Sequence, residues 1–332
     1  MFRYFVRRVL IAIPILLIGT FISFIAVASS GDPLGSLRMK PGITQATINQ
    51  TAHDLGLDQP ILSRYWHWLT SFVRGDWGYS VAVGQGKADV KSTVLTALWN
   101  TSRLVVGAEV IALIIGAAIG VLAAMWQYSI FDYIATGVAF LMFSMPLFCV
   151  AILLENFGIS LNQFLESIGI SHWITLNGPP VDGFTGGFGH QIFQYTGTFI
   201  LPTITLMLIS FAAYSRFQRA SMLETMNMDY VRTARAKGLS SGRVVFRHAM
   251  RNALIPITTL FALNFGSTFG GAIITENVFN WQGMGKLLVT SVEQYDPPML
   301  MGWLVVTGAL VILFNLLADL VYSYLDPRIR LG

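Results

Sequence analysis

Residues 229–256 read DYVRTARAKGLSSGRVVFRHAMRNALIP. Six of these residues are basic and one is acidic, yet the stretch lies between two apolar runs, FILPTITLMLISFAAY at 199–214 and LIPITTLFALNFGSTFGGAII at 254–274. A charged connection between two runs of this kind means that the chain enters a membrane on either side of it. The composition agrees. The 332 residues are 54% hydrophobic and 11% charged, with a mean hydropathy of +0.61, far from the balance of a soluble domain. The predicted class is an all-α, polytopic membrane protein. The single cysteine, Cys149, excludes an internal disulfide and a thiolate metal cluster, and no metal site is expected. The net charge of +4 reflects basic residues beside apolar runs, where cytoplasmic anchoring is the common role and nucleic-acid binding is not.

Working outward from this stretch, about 20 apolar residues are needed to cross ~30 Å of hydrocarbon. Six runs qualify, at 9–28, 104–125, 133–154, 198–214, 254–274 and 300–322. The fourth is short and carries Pro202, so its backbone depends on neighbouring helices. Arg3, Arg7 and Arg8 precede the first run, and with that end inside, thirteen of the 21 Lys and Arg fall on the inner side. The positive-inside rule then predicts both termini in the cytoplasm. The first run imitates a signal peptide ending in AVASS at 26–30, but it is longer than a signal h-region, which favours an uncleaved helix. The predicted division is a transmembrane helix at 1–30, an extracytoplasmic loop region with interfacial helices at 31–100, and a core of five helices at 101–325 containing the cytoplasmic loop 215–253.

In the outer region, PILSRYWHWLTSFVR at 60–74 has Leu62, Tyr65, Trp66, Leu69, Phe72 and Val73 at helical spacing. Such a helix lies on the bilayer or a partner, or packs on the protein's own spans. Val90, Val94 and Leu98 repeat every four residues into the second run. The segment 158–197 reads as a polar, glycine-rich and aromatic loop without recognisable chemistry.

Within 229–256 two short helices are expected. Asn227 or Thr225 is placed to cap the first, Asp229 lies in its first turn, Arg235 and Lys237 in its last, and Gly238 just beyond. That helix, about 11 residues or ~16 Å long, carries a stripe of Met226, Tyr230, Ala234 and Lys237 suited to docking in a shallow groove. The second, about 241–252, has Arg243, Arg247 and Arg251 on one face.

The segment RTARAKG at 232–238 resembles the cytoplasmic signature of ABC importer permeases, E-A-A-x-x-x-G. Arg232, Thr233, Ala234 and Gly238 take the motif positions, and Ala234 and Gly238 agree with it. The family's later I-x-L-P is absent, with HAMR at 248–251 in its place and the proline later, at Pro256. LGLDQP at 55–60, RGDWGYS at 74–80, ENVFNWQGMGKLL at 276–288, FRHAMRNALIP at 246–256 and LDPRIR at 325–330 resemble the dipeptide and oligopeptide branch of these permeases. The resemblance spans nearly the whole chain. It implies the type I importer permease fold with six transmembrane helices in the cytoplasmic (inner) membrane of a bacterium or archaeon. It also implies a second homologous permease subunit, two ATP-binding cassette subunits and an extracytoplasmic peptide-binding protein as partners. By that match Asp229, Tyr230, Arg232, Thr233, Ala234, Lys237 and Gly238 are the ATPase-coupling residues. No G-x-x-x-x-G-K-[ST] loop occurs in this chain; GQGK at 84–87 and GMGK at 283–286 lack the spacing. The chain is therefore expected to be non-catalytic and without a cofactor, ATP and Mg belonging to the partner ATPases.

Charged and polar residues within the runs are the remaining candidates. Glu109 and Asp319 lie near the ends of their runs, where they snorkel or pair. Asn264, Ser267 and Thr268, with Gly266, Gly270 and Gly271, either line a path for a hydrated peptide backbone, which the family's pore-lining fifth helix favours, or serve close packing. Gly116 and Gly120 have the packing spacing. Trp66 and Trp281 are candidate contacts for the binding protein. Three other functions compete. A permease for nickel or another small solute shares the motifs. An ion-coupled secondary transporter would use Glu109, but all five histidines lie outside the runs. An intramembrane hydrolase would need a nucleophile and base or a metal dyad at membrane depth; no H-E-x-x-H occurs, and the G-x-S-x-G match GLSSG at 238–242 lies outside the apolar runs.

Overall fold

The structure, a computed structural model, describes residues 2–29, 31–32, 34–38, 42–54, 56–82, 88–170, 172–179, 186–268 and 272–325. The expectations at 84–87, at Gly270 and Gly271 and in the terminal motif beyond Leu325 lie outside them, as do the side chains of Ser267 and Asp319. Among the described residues the helices in chain order are α1 (Phe2–Ser29), α2 (Gly35–Arg38), α3 (Gln45–Asp54), α4 (Ile61–Val73), α5 (Val90–Met125), α6 (Ile130–Ser144), α7 (Leu147–Ser167), α8 (Phe188–Met226), α9 (Asp229–Ala236), α10 (Ser241–Arg243), α11 (Met250–Thr268), α12 (Ile273–Val278), α13 (Met284–Glu293) and α14 (Pro297–Leu325). A π-helical turn, Val244–Ala249, joins α10 to α11.

Among the described residues, five helices are long and apolar enough to cross a membrane: Leu10–Ser29 in α1, α5, α7, α8, and Pro297–Leu317 in α14. The expected span at 133–154 is not one helix. α6 ends at Ser144, Met145 turns extended (φ −77°, ψ 132°), and Pro146 leads into α7. Proline lacks the N–H a continuous helix needs and pushes the preceding residue out of the helical region. Pro202 and Pro256, by contrast, sit inside α8 and α11. The segment 158–197 is helical at both ends, since α7 continues to Ser167 and α8 starts at Phe188.

The described residues form two compact units. The first comprises Met1–Thr101, Phe269–Ile273 and Gln282–Ile312, so it takes in more than the N-terminal third of the chain. Here α4 has two apolar stripes. Tyr65 and Trp68 pack on α1, with Phe21–Tyr65 ring centroids 5.0 Å and Phe24–Trp68 5.9 Å apart, and Thr20 and Tyr65 share a hydroxyl hydrogen bond of 2.9 Å. Leu62, Trp66 and Val73 stay exposed. The packing on the protein's own first helix therefore holds for one face, and the other face is exposed. Val90 and Val94, from the four-residue repeat, are fully buried in a cluster with Met284, Met299 and Trp303. Asp296, buried at the start of α14, accepts from the Ser80 hydroxyl and from the Ala82 N–H at 3.2 Å, tying the 80–82 segment down.

The second unit comprises Ser102–Thr268, Ile274–Trp281 and Leu313–Gly332. Its centre is α5, α8 and α11, with Ala112, Phe211, Tyr214 and Ile257 in one cluster. The glycine spacing of α5 marks a close helix approach. A Cβ on Gly116 would stand 2.8 Å from Tyr214 Cβ, and one on Gly120 2.6 Å from the Ser215 carbonyl oxygen. Where α6 meets α8, Arg219 grips Asp132 with two donors, Nε to Oδ1 at 2.6 Å and Nη2 to Oδ2 at 2.7 Å.

Candidate functional site

The loop after α8 forms a short helix on a dry base. α9 is eight residues, not eleven, and neither Thr225 nor Asn227 caps it. The apolar period of α8 carries that helix on to Met226, which buries Thr225 and makes Asn227 its C-terminal cap. Met228, extended at φ −70°, ψ 148°, precedes α9, and its carbonyl accepts from the N–H groups of Val231 and Arg232. Asp229 in the first turn and Arg235 in the last complement the helix dipole as expected. At the far end Lys237 N–H bonds the Thr233 carbonyl and Gly238 N–H the Arg235 carbonyl. Gly238 has φ +75°, the left-handed turn that closes a helix and favours glycine.

One face of α9 is sealed. Val231 and Ala234 are buried with Val121 and Ala124 of α5, Met222 of α8, Val244, Val245 and Ala249 of the π-helical turn, and Ala253 of α11. Ala234 therefore belongs to the base and not to the docking stripe. The period of the stripe could not show which side the neighbours occupy. The outward face carries Asp229, Tyr230, Arg232, Thr233 and Lys237, with Tyr230 Oη accepting from Asn252 Nδ2 at 2.8 Å. Arg243, Arg247 and Arg251 are likewise exposed, although a π-helical turn, a feature common at functional sites, replaces the regular second helix. The base of α9 is packed against the ends of α5, α8 and α11.

Replacing Gly238 with Val leaves space for the side chain, since no atom lies within 4 Å of the Cβ position. The left-handed backbone is nevertheless disfavoured by about 1–2 kcal/mol. The expected result is weakened ATPase coupling with unchanged membrane insertion, read by paired ATP-hydrolysis and membrane-fraction assays. Equal loss of both would remove Gly238 from the coupling machinery.

The candidate path residues are only partly assembled. Glu109, 2% exposed, does not snorkel. Its Oε1 accepts from Ser210 Oγ and its Oε2 from Tyr214 Oη, both at 2.7 Å. Tyr214 also hydrogen-bonds the side chain of Asn264, so Glu109 and Asn264 meet through a residue that sequence reasoning missed. Thr268 Oγ1 donates to the Asn264 carbonyl at 2.8 Å. On the other expected contact surface, Trp66 is exposed but Trp281 is wholly buried. The indole of Trp281 packs edge-on against Phe199 with centroids 4.7 Å apart, so it offers a partner no surface. Among the described residues no cluster of three or more His, Cys, Asp or Glu could hold a metal ion.

Residues 116–331 match the family described as binding-protein-dependent transport system inner membrane component, and residues 1–90 match its membrane component N-terminal family. The chain is 38% identical over 331 residues to the oligopeptide transport system permease protein AppB of Bacillus subtilis, covering 99% of this chain and all of the relative. It is 37% identical over 333 residues to the oligopeptide transport system permease protein OppB of Mycobacterium tuberculosis, covering the whole of both. It is 35% identical over 333 residues, 99% of each, to the glutathione transport system permease protein GsiC of Escherichia coli. With similarity running from one end of the chain to the other, and not confined to the loop around α9, this integral multi-pass membrane protein belongs to the family of binding-protein-dependent transport system inner membrane components.

Proposed function

We propose that the chain is the membrane-spanning subunit of an ATP-driven importer that moves di- or oligopeptides handed over by an extracytoplasmic binding protein. The observation that carries this reading is α9, a helix with a charged, exposed outer face and a buried base shared with α5, α8 and α11. A subunit without its own nucleotide loop needs such a mechanical input, and the input transmits energy only if the partner's contacts differ between nucleotide states. Peptide as cargo is supported by the oligopeptide and glutathione relatives.

In this reading the chain crosses the cytoplasmic membrane six times with both ends inside, pairs with a second homologous permease, and docks α9 on one of two ATPases that bind ATP and Mg. Asp229, Tyr230, Arg232, Thr233 and Lys237 make the contact, while Ala234 and Gly238 hold its shape. Glu109, Asn264, Ser267 and Thr268 supply polar groups to the path once the helices part, and Trp66 serves the outer side.

The test is co-purification from detergent-solubilised membranes, with the accompanying chains identified by mass spectrometry. Wild type should bring down an ATPase and a second permease. Thr233→Asp, which puts a charge on the outer face only, should lose the ATPase alone. A solitary chain that still transports after reconstitution would sink the importer reading and favour ion-coupled transport.

A further inference from the structure

We propose that a cavity between α5, α6 and α8 binds an anionic phospholipid, with Arg216 holding the phosphate and the cavity receiving an acyl chain. The cavity has a volume of ≈ 420 Å³ and is lined by Ile119, Ala139, Phe140, Phe143 and Ala213, with Arg216 on its wall. That volume lies within the range of about 300–1,000 Å³ usual for small-molecule sites.

The charges in this region are unevenly matched. Arg219, one turn along α8, is neutralised by its paired hydrogen bonds to buried Asp132. Among the described residues no carboxylate forms an ion pair with Arg216. The Arg216 guanidinium carbon instead lies 4.1 Å from the Phe140 ring centroid and 4.9 Å from that of Phe143. Contact with the rings is made through the cation, and the guanidinium retains N–H donors with which an arginine can grip a tetrahedral anion.

The depth suits a lipid. Arg216 follows the end of the apolar run of α8 at Tyr214 by two residues, which places its charge near the headgroups, and along α8 the cavity wall continues past it to Ala213 on the side of the apolar run and to Arg219 and Ala220 on the other. A phospholipid supplies a phosphate and an acyl chain in that same order along the membrane normal. Basic pockets between transmembrane helices select anionic headgroups for this reason.

The test uses the transporter purified with its partner subunits, stripped of lipid and titrated separately with phosphatidylglycerol and phosphatidylcholine of identical acyl chains, with retained lipid counted by native mass spectrometry. Wild type should retain one phosphatidylglycerol at a concentration about fivefold lower than phosphatidylcholine, the discrimination that one arginine at headgroup depth provides. Arg216→Gln should abolish that difference, and Arg216→Lys should keep most of it. Equal retention of the two lipids by wild type overturns the proposal, whatever the variants do. So does a preference that survives in Arg216→Gln, or displacement of the lipid by millimolar inorganic phosphate, which would identify a free anion as the ligand.

Discussion

Arg219→Leu should destabilise the protein by about 3–5 kcal/mol, the usual effect of removing one partner from a buried ion pair. The carboxylate it abandons is the more buried of the two. The Asp132 side chain is 3% exposed and that of Arg219 26%. Asp132 would keep the Tyr128 N–H at 3.0 Å and the Thr136 hydroxyl at 3.3 Å, and neither neutralises it. The measurement is thermal unfolding of the purified protein in one detergent. Arg219→Lys should fall between wild type and Arg219→Leu, because an ammonium restores the charge but not the two-pronged geometry. Asp132→Asn combined with Arg219→Leu should recover much of the loss, since the cost comes from stranding a charge and not from lacking a bridge. Equal stability of Arg219→Leu and wild type would show that Asp132 is solvated or protonated in the folded protein.

That ion pair also marks where sequence reading stops. Asp132 and Arg219 are 87 residues apart, and Glu109 and Tyr214 are 105 apart. Periodicity and composition register neighbours along a helix and cannot register partners across the bundle. Local features were legible for the converse reason. The positive φ of Gly238, the dipole-matched charges of α9 and the close approach at Gly116 and Gly120 each depend on a few adjacent residues. Pro146 and Pro202 show the boundary between the two cases. Both interrupt apolar runs, but only at Pro146 does the helix break, because surrounding helices decide whether a carbonyl freed by proline finds another partner. Trp281 misled in the same way. A tryptophan beside a polar turn has the composition of an interface anchor, and only the approach of Phe199, 82 positions earlier in the chain, makes it a core residue.

Ala234→Asp should have a different outcome from Thr233→Asp, although the two positions are adjacent in the motif. Thr233 is exposed, and its hydroxyl bonds only the Asp229 carbonyl within α9 at 2.8 Å. A carboxylate there changes the docking face and leaves the base alone. Ala234 is 6% exposed and packed among Val121, Met222 and Val245. A carboxylate there must either stay buried without a partner or lever α9 away from α5 and α8. Even a neutral polar group buried without a hydrogen-bond partner costs about 1–3 kcal/mol on protein mutational scales, and a charge costs more. The helix then loses its support whether or not the ATPase still touches it. Thr233→Asp should therefore keep the unfolding temperature of wild type and fail to recruit the ATPase. Ala234→Asp should unfold at lower temperature and, in whatever fraction binds the ATPase, hydrolyse ATP without moving substrate. Uptake into vesicles measured beside hydrolysis separates the two cases. If Ala234→Asp keeps wild-type stability and coupling, the cluster beneath α9 does not transmit its motion, and force must enter the membrane helices elsewhere, through the chain connections at Met228 and Gly238.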